Sequence, residues 1–283
     1  MPRESRRQHG RSGRDEFPRA VDLAGPRPIT TGTAELVRDR VDPRGWTVLV
    51  NGVPSSYVHA DPLVLGFEYM QWFGVVLDAL APAGTPLHVS HVGAAGCTMA
   101  RYVAAARPGS VQVAYEVDAE LVTLVRQAFD LKRVPGLRIR AQDGRTGLAE
   151  APTAVADVVI RDAFAGAVVP APLTTGEWLT VVRRALRPGG CYLANIADRA
   201  DLSLARREAA TALRQFPHVA LIAEPGQLRG RRYGNVVLLA SDAPLPDQAL
   251  VRALASAATP ARLEATERVA ELASGARAFD DQV

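Results

Sequence analysis

Apolar residues follow two alternating patterns along most of the chain. Short, nearly continuous apolar runs are typical of buried strands, and stretches with helical spacing lie between them. The pattern predicts strands at 87–92, 111–116, 137–141, 156–161, 190–196, 218–224 and 233–240. It predicts helices near 97–106, 119–129, 145–150, 175–187 and 201–214. Strands that alternate with helices indicate a parallel sheet joined by right-handed crossovers.

The end of this sheet differs from its beginning. Only a turn region separates the strands predicted at 218–224 and 233–240, so they predict a terminal antiparallel hairpin. A dinucleotide-binding domain continues instead with further parallel units. The expected fold class is therefore α/β, with a Rossmann-like, seven-stranded sheet of the S-adenosylmethionine-dependent methyltransferase type.

Shorter apolar runs and turn signals precede the sheet. Runs at 34–39, 46–50 and 56–59 predict a small antiparallel unit of about three strands, with a tight turn at Asn51-Gly52. Asp61, followed by Pro62, predicts the N-cap of a helix from about Leu63 to Leu80. The expected divisions are a disordered basic leader over 1–25, the hairpin unit with its linking helix over 26–82, a cofactor-binding domain over 83–245 and a helical segment over 246–283.

Composition narrows the class of protein. The chain has 283 residues, 48% of them hydrophobic, which is enough for one packed domain and a small accessory unit. The net charge of +3 is carried by residues 1–19, where six arginines face three acidic residues, so basicity does not indicate a nucleic-acid surface. No apolar run reaches the roughly 20 residues of a membrane span. We expect a cytoplasmic protein that binds neither nucleic acid nor membranes.

Cysteines and histidines give no metal or disulfide pattern. Cys97 and Cys191 are the only cysteines, and they form no C-x-x-C pair. His88 and His91 lie three residues apart on a predicted strand and therefore face opposite sides. We expect no metal in the site.

The strongest chemical signal follows the first strand of the sheet. Gly93 and Gly96 let the backbone approach a ligand, and the next strand ends at Glu116, whose carboxylate can accept hydrogen bonds from both hydroxyls of a ribose. The loop lacks the G-x-G-x-x-G spacing of dinucleotide enzymes. The pattern therefore predicts a nucleoside cofactor of the S-adenosylmethionine type rather than NAD.

Residues 34–242 resemble the spermidine/spermine synthase family, in particular its divergent bacterial spermidine-synthase-like branch. The matching motifs are Val50-Asn51-Gly52, the loop Gly93-Ala-Ala-Gly-Cys-Thr-Met-Ala-Arg101, Tyr115-Glu116-Val117-Asp118, Gln142-Asp143-Gly144 and Asp157-Val-Val-Ile-Arg-Asp162, in the order that the family has them. The resemblance implies a homodimer that transfers an aminopropyl group from decarboxylated S-adenosylmethionine to a small-molecule amine.

The resemblance also implies roles for individual residues. The cofactor-binding set is Gly93, Ala94, Gly96, Glu116, Val117, Asp143, Gly144 and Asp162. Within it, Glu116 is the ribose ligand, Asp143 contacts the adenine, and Asp162 is the catalytic base that deprotonates the attacking amine. Glu68, Tyr69 and Phe164 are weaker candidates for contacts with the substrate.

Several positions depart from the family's pattern. The aspartate of the family's glycine loop is Gly96 here, and the second carboxylate of its Asp-x-x-Asp-Pro motif is Ala165. Ser55 and Leu65 replace a glutamine and a tyrosine. A carboxylate at position 96 would repel the carboxylate of intact S-adenosylmethionine, so Gly96 leaves both S-adenosylmethionine and its decarboxylated form open as co-substrates.

Three functions therefore stay open: aminopropyl transfer to an amine, methyl transfer to an unknown small molecule, and cofactor binding or scaffolding without catalysis. Acidic side chains around Asp162 would favour a polyamine acceptor. Arginines 229, 231 and 232 in the cleft would favour an anionic acceptor, and a cleft filled by side chains such as Phe164 or Tyr69 would favour a protein without catalysis.

Overall fold

The structure, a computed structural model, describes residues 25–281 and contains two β-sheets. The leader expected over 1–25 lies outside the described residues, apart from Gly25.

The first sheet has four antiparallel strands in chain order. They are β1 (Arg27–Ile29), β2 (Gly32–Arg38), β3 (Gly45–Val50) and β4 (Val53–His59). Asn51 and Gly52 form the turn between β3 and β4, and both adopt the positive φ angles, 52° and 77°, that a two-residue hairpin of this kind requires. The sequence pattern missed β1 because three residues are too few to show a period.

The helix after the small sheet begins later than predicted. Helix α1 spans Glu68–Leu80, and Phe67 takes the N-cap position. The predicted start at Leu63 is wrong because Asp61 closes only a local turn, in which its carboxylate accepts a hydrogen bond of 2.9 Å from the amide of Leu63. The consequence is that Glu68 and the adjacent tyrosine lie in the first turn of α1.

The second sheet has eight strands: β5 (His88–Val92), β6 (Val111–Glu116), β7 (Leu137–Ala141), β8 (Ala156–Arg161), β9 (Leu186–Asp198), β10 (His218–Ala223), β11 (Gly234–Ser241) and β12 (Arg262–Glu264). Their spatial order is β12-β10-β11-β9-β8-β5-β6-β7. Strands β5 to β9 pair in parallel, whereas β10, β11 and β12 pair antiparallel to their neighbours. This topology confirms the methyltransferase-like fold class and the predicted terminal hairpin.

The remaining helices are α2 (Thr98–Ala106), α3 (Ala119–Ala128), α4 (Gly144–Ala149), α5 (Gly176–Ala185), α6 (Ser203–Leu213), α7 (Pro225–Leu228), α8 (Asp247–Ala255) and α9 (Thr266–Ala273). Single turns of 3₁₀ helix occur at Leu131–Arg133 and Ala171–Leu173. The C-terminal segment was expected to be helical throughout, but it also contains β12. This strand pairs with β10 and gives the sheet eight strands instead of the seven predicted. Within residues 25–281, no helix is long and apolar enough to cross a membrane.

Helices cover both faces of the large sheet. Trp178 of α5 is fully buried on one face, and Trp72 and Phe73 of α1 are buried on the other. A third apolar cluster packs the small sheet, through residues such as Val48, against Val125 of α3. The small sheet therefore lies beside the carboxyl ends of β5 and β6, where parallel sheets bind ligands.

Candidate functional site

A cavity of about 830 Å³ lies at the carboxyl ends of the central strands. Its walls come from the ends of β5, β6, β8 and β9, the first turn of α1, the β3–β4 turn and the loop that follows β8. This is the edge at which the sequence predicts a ligand.

Gly93 leaves β5 at a point where no side chain fits. Its φ angle is +88°, and a Cβ atom there would lie 2.3 Å from the backbone oxygen of Asp162. Gly93 and Ala94 both line the cavity. Gly96 is outside the cavity wall, since a Cβ atom at this position would meet Cγ2 of Val58 at 2.4 Å. The structure therefore does not bring Gly96 together with the other predicted cofactor residues.

Glu116 lies at the end of β6 and faces the loop after β5. Its Oε2 atom accepts hydrogen bonds of 3.1 Å from the amides of both Ala94 and Ala95, and its Oε1 atom accepts one of 3.2 Å from the amide of Asp118. The neighbouring Val117 lines the cavity and is 63% exposed. The predicted ribose ligand is thus held at the cavity by three backbone donors.

Asp143 and Gly144 form the start of α4. The Asp143 carboxylate caps the helix by accepting a hydrogen bond of 2.8 Å from the amide of Thr146. A Cβ atom on Gly144 would lie 2.5 Å from Cγ1 of Val92, so only glycine lets α4 begin this close to β5. Both residues line the cavity.

Asp162 follows β8 and is held by two side chains from other elements. Its Oδ2 atom accepts a hydrogen bond of 2.9 Å from the hydroxyl of Tyr69, and its Oδ1 atom accepts one of 3.1 Å from Nδ2 of Asn195. Burial raises the pKa of the Asp162 carboxyl, and these two hydrogen bonds and the positive charge of Arg161 oppose that rise. The arrangement is that of a carboxylate whose orientation is fixed and whose basicity is increased.

Two asparagines complete this side of the cavity. Asn195, at the carboxyl half of β9, is 2% exposed, and its Oδ1 atom has no hydrogen-bond partner among the described residues. Nδ2 of Asn235 donates a hydrogen bond of 2.8 Å to Oε1 of Glu68. Asn235 was missed because it follows a run of arginines that dominates the local sequence, although its position at the start of a predicted strand was a usable signal.

The two asparagines that bond the cavity carboxylates on this side are offset in the sheet. Asn235 pairs in register with Ala197, which lies two residues beyond Asn195. Two residues span about 7 Å of strand. Asn195 contacts Asp162 and Asn235 contacts Glu68, so the two carboxylates are held by residues of neighbouring strands at register positions two residues apart.

The charged side chains of the cavity wall are all acidic. Glu68, Glu116, Asp143 and Asp162 line the cavity, and no Arg, Lys or His does so within residues 25–281.

The three arginines considered for an anionic acceptor, Arg229, Arg231 and Arg232, are exposed and do not line the cavity, and Arg232 forms an ion pair of 2.6 Å with Glu224. Phe164 and Tyr69 line the cavity without filling it. In the same residues, no group of three or more His, Cys, Asp or Glu side chains is arranged to hold a metal.

The strand order, the glycine-bearing loop after β5 and the acidic residue ending β6 define a protein of the S-adenosylmethionine-dependent methyltransferase-like class. The crystal structure of a probable spermidine synthase from Corynebacterium glutamicum is similar to this chain, with a TM-score of 0.85 and 39% identity over 93% of this chain and 98% of that one. The chain therefore belongs to the spermidine/spermine synthase family, and the resemblance seen in its motifs is confirmed.

More distant structures share the fold. A spermidine synthase from Thermotoga maritima has a TM-score of 0.62 and 16% identity, over 83% of this chain and 78% of that one. Human methyltransferase-like protein 13, in complex with SAH, has a TM-score of 0.51 and 20% identity, over 75% of this chain and 93% of that one. Comparison with protein-family models and with the sequences of curated proteins gives no match.

Proposed function

We propose that this protein transfers an aminopropyl group from decarboxylated S-adenosylmethionine to an amine, with Asp162 as the base. The observation that carries the proposal is the charge of the cavity wall, which contains four carboxylates and, within residues 25–281, no basic side chain. Both substrates of this reaction are cations, and an anionic wall stabilises them.

The donor fits the residues on the β5 and β6 side. Glu116 would hold the ribose hydroxyls and Asp143 would contact the adenine, while Gly93 lets the loop after β5 pass close to the backbone of Asp162. Intact S-adenosylmethionine carries a carboxylate that meets no cationic side chain in this wall, whereas the decarboxylated form carries only positive groups. The wall therefore favours the decarboxylated donor.

Asp162 supplies the proton acceptor. An alkylammonium group has a pKa of about 10, as lysine does, and must lose a proton before its nitrogen can attack. The raised pKa of Asp162 makes its carboxylate a stronger base, while Tyr69 and Asn195 hold both of its oxygens in place.

The donor contributes a carbon made electrophilic by the adjacent sulfonium. As the amine nitrogen bonds to this carbon, the carbon–sulfur bond breaks and its electron pair stays on sulfur, which becomes a neutral thioether. One proton passes from the amine to Asp162. The protein contributes to catalysis by aligning the amine with the carbon and by accepting that proton.

The acceptor side is assigned to Glu68, Tyr69 and Phe164. A carboxylate is absent at Ala165, and Glu68 is the remaining acidic residue on this side of the cavity besides Asp162. Because Glu68 and Asp162 are held by asparagines whose register positions differ by two residues, Glu68 would receive an ammonium group at the far end of the acceptor.

The test has two parts. Calorimetric titration with S-adenosylmethionine and, separately, with its decarboxylated form should give the tighter dissociation constant for the decarboxylated donor. Incubation with that donor and 1,4-diaminobutane should then yield 5′-methylthioadenosine and the aminopropylated amine by mass spectrometry, and Asp162→Asn should lower the rate at which both products form by at least about 100-fold. Tighter binding of intact S-adenosylmethionine, with S-adenosylhomocysteine formed, would replace the proposal with methyl transfer. If neither donor binds, the conclusion would be that the protein does not catalyse transfer.

A further inference from the structure

Arg161 is the last residue of β8 and is fully buried, immediately before Asp162. Since side chains alternate along a strand, it points away from the cavity that its neighbour faces. Its guanidinium nevertheless contacts the backbone around that cavity: Nη1 donates to the carbonyl of Leu173 at 3.1 Å, and Nη2 donates to the carbonyl of Asn195 at 2.9 Å. Nη1 also forms an ion pair of 3.0 Å with Glu208 of α6.

These partners surround the base. Leu173 lines the cavity and ends the loop that begins at Asp162. Asn195 holds Oδ1 of Asp162 through its amide, so the arginine fixes the backbone of a residue whose side chain fixes the carboxylate. Glu208 connects the same guanidinium to helix α6. One side chain thus ties together both ends of the loop after β8 and the end of β9.

The Arg161–Glu208 ion pair is not expected to add much to the stability of the fold. Arg161 is 0% and Glu208 is 6% exposed, so both charges have lost most of their hydration. Burial raises the pKa of Glu208, and the charge of Arg161 opposes that rise. Buried ion pairs of this kind are often replaced by apolar residues with no loss of stability, whereas removal of one partner alone is strongly destabilising.

We propose that the Arg161–Glu208 pair is a positioning device, which holds Asp162, Asn195 and the loop ending at Leu173 in the geometry that transfer requires. This inference rests on the proposed aminopropyl transfer. It assigns no contact with substrate to either residue, because both act through the backbone and through Asn195.

The pair also acts on the base through charge. The groups that face Asp162 are Tyr69 from α1, Asn195 from β9 and the charge of Arg161 behind it. Removing the positive charge of Arg161 should move the acid limb of the profile of kcat/KM against pH to higher pH. Arg161→Lys keeps the charge and should leave that limb in place, although a single ammonium cannot serve three partners in the planar arrangement of a guanidinium.

The deciding variant is the apolar double substitution Arg161→Met with Glu208→Leu. A matched control is Arg107→Met, because Arg107 is also fully buried and bonded to several carbonyls, but it follows α2, contacts the end of α1 and does not line the cavity. We expect the double variant to fold, with kcat lowered about 10- to 100-fold through misplacement of the base and KM for the donor unchanged within about twofold. The control should keep its kcat.

Hydrogen exchange measured by mass spectrometry gives a readout that is independent of activity. Exchange over residues 162–175 should rise in the double variant and not in the control. A folded double variant with wild-type kcat and wild-type exchange over this loop would overturn the inference. If the double variant does not fold, Arg161→Lys decides: a lowered kcat with an unmoved acid limb supports the inference, and an unchanged kcat overturns it. If the wild type shows no transfer, the proposed function fails by itself, and the exchange comparison alone then decides whether the pair holds the loop.

Discussion

The hydroxyl of Tyr69 donates a hydrogen bond of 2.9 Å to Oδ2 of Asp162, across 93 residues of sequence. Burial, followed by the charge of Asp162, raises the pKa of the phenol well above its ordinary value, so Tyr69 stays a neutral donor. Its ring is fixed by Phe67, stacked at 5.9 Å, and by Phe73, edge-on at 5.7 Å. The Asp162 carboxylate is therefore oriented by a tyrosine whose ring is held by packing. Because its phenol stays protonated, Tyr69 does not take the proton of the amine.

Substitution of Asp162→Asn should separate activity from stability. The amide keeps the size of the side chain but cannot accept a proton, so kcat should fall by about 10²–10⁴-fold. Because the folded-state pKa of Asp162 is raised, its contribution to stability is fully present at low pH and is lost as pH rises through that pKa.

The free energy of unfolding of the wild type should accordingly decline, relative to that of the variant, as pH rises from about 4. Chemical denaturation at several pH values measures this difference. A variant that is less stable than the wild type at pH 8 and equally stable at pH 4 would show that the Asp162 carboxylate stabilises the fold, contrary to the expectation.

Substitution of Tyr69→Phe should lower kcat/KM about tenfold, because one hydrogen bond to a charged group is lost. The packing against Phe67 and Phe73 is kept, so a change in kcat/KM reports the hydroxyl alone. The pKa of Asp162 should rise, since a donor to its charged form has been removed, and the acid limb of the pH profile should move to higher pH. A profile that does not move would mean that Tyr69 does not orient the base.

Local patterns predicted the sheet, and they pointed to Gly93, Glu116 and Asp143 on the cavity wall because all three lie at the ends of elements whose periodicity is clear. The opposite side of the cavity, around Glu68, was less accessible to sequence reasoning. Asn235 reaches Glu68 only because β11 inserts between β9 and β10, a pairing that no local pattern encodes. Gly96 shows the reverse error, since a motif placed it in the cavity while the packing of β4 against the loop turns it away.

Substitution of Glu68→Gln should remove the preference for a second ammonium group. We expect the ratio of kcat/KM for 1,4-diaminobutane to that for 1-aminobutane to fall about 10- to 100-fold, the effect of losing one charge-assisted hydrogen bond. Asn235→Ala, which removes the donor to Glu68, should lower the same ratio by a smaller factor. Glu120→Gln, an exposed position on α3 outside the cavity wall, is the control. An unchanged ratio in the Glu68 variant would place the far end of the acceptor elsewhere.

The single variants Gly93→Ala and Gly84→Ala, compared with each other, test how closely the loop after β5 approaches the base. Both glycines have positive φ angles, +88° and +78°, so both variants bear the cost of a left-handed conformation, about 1–2 kcal/mol. Nothing lies within 4 Å of a Cβ atom at Gly84, whereas at Gly93 it would meet the backbone oxygen of Asp162 at 2.3 Å. Gly93→Ala should therefore lose more stability in denaturant titration and should also lower kcat, because Asp162 must move. Equal destabilisation of the two variants, with full activity in both, would contradict the close contact between Gly93 and Asp162.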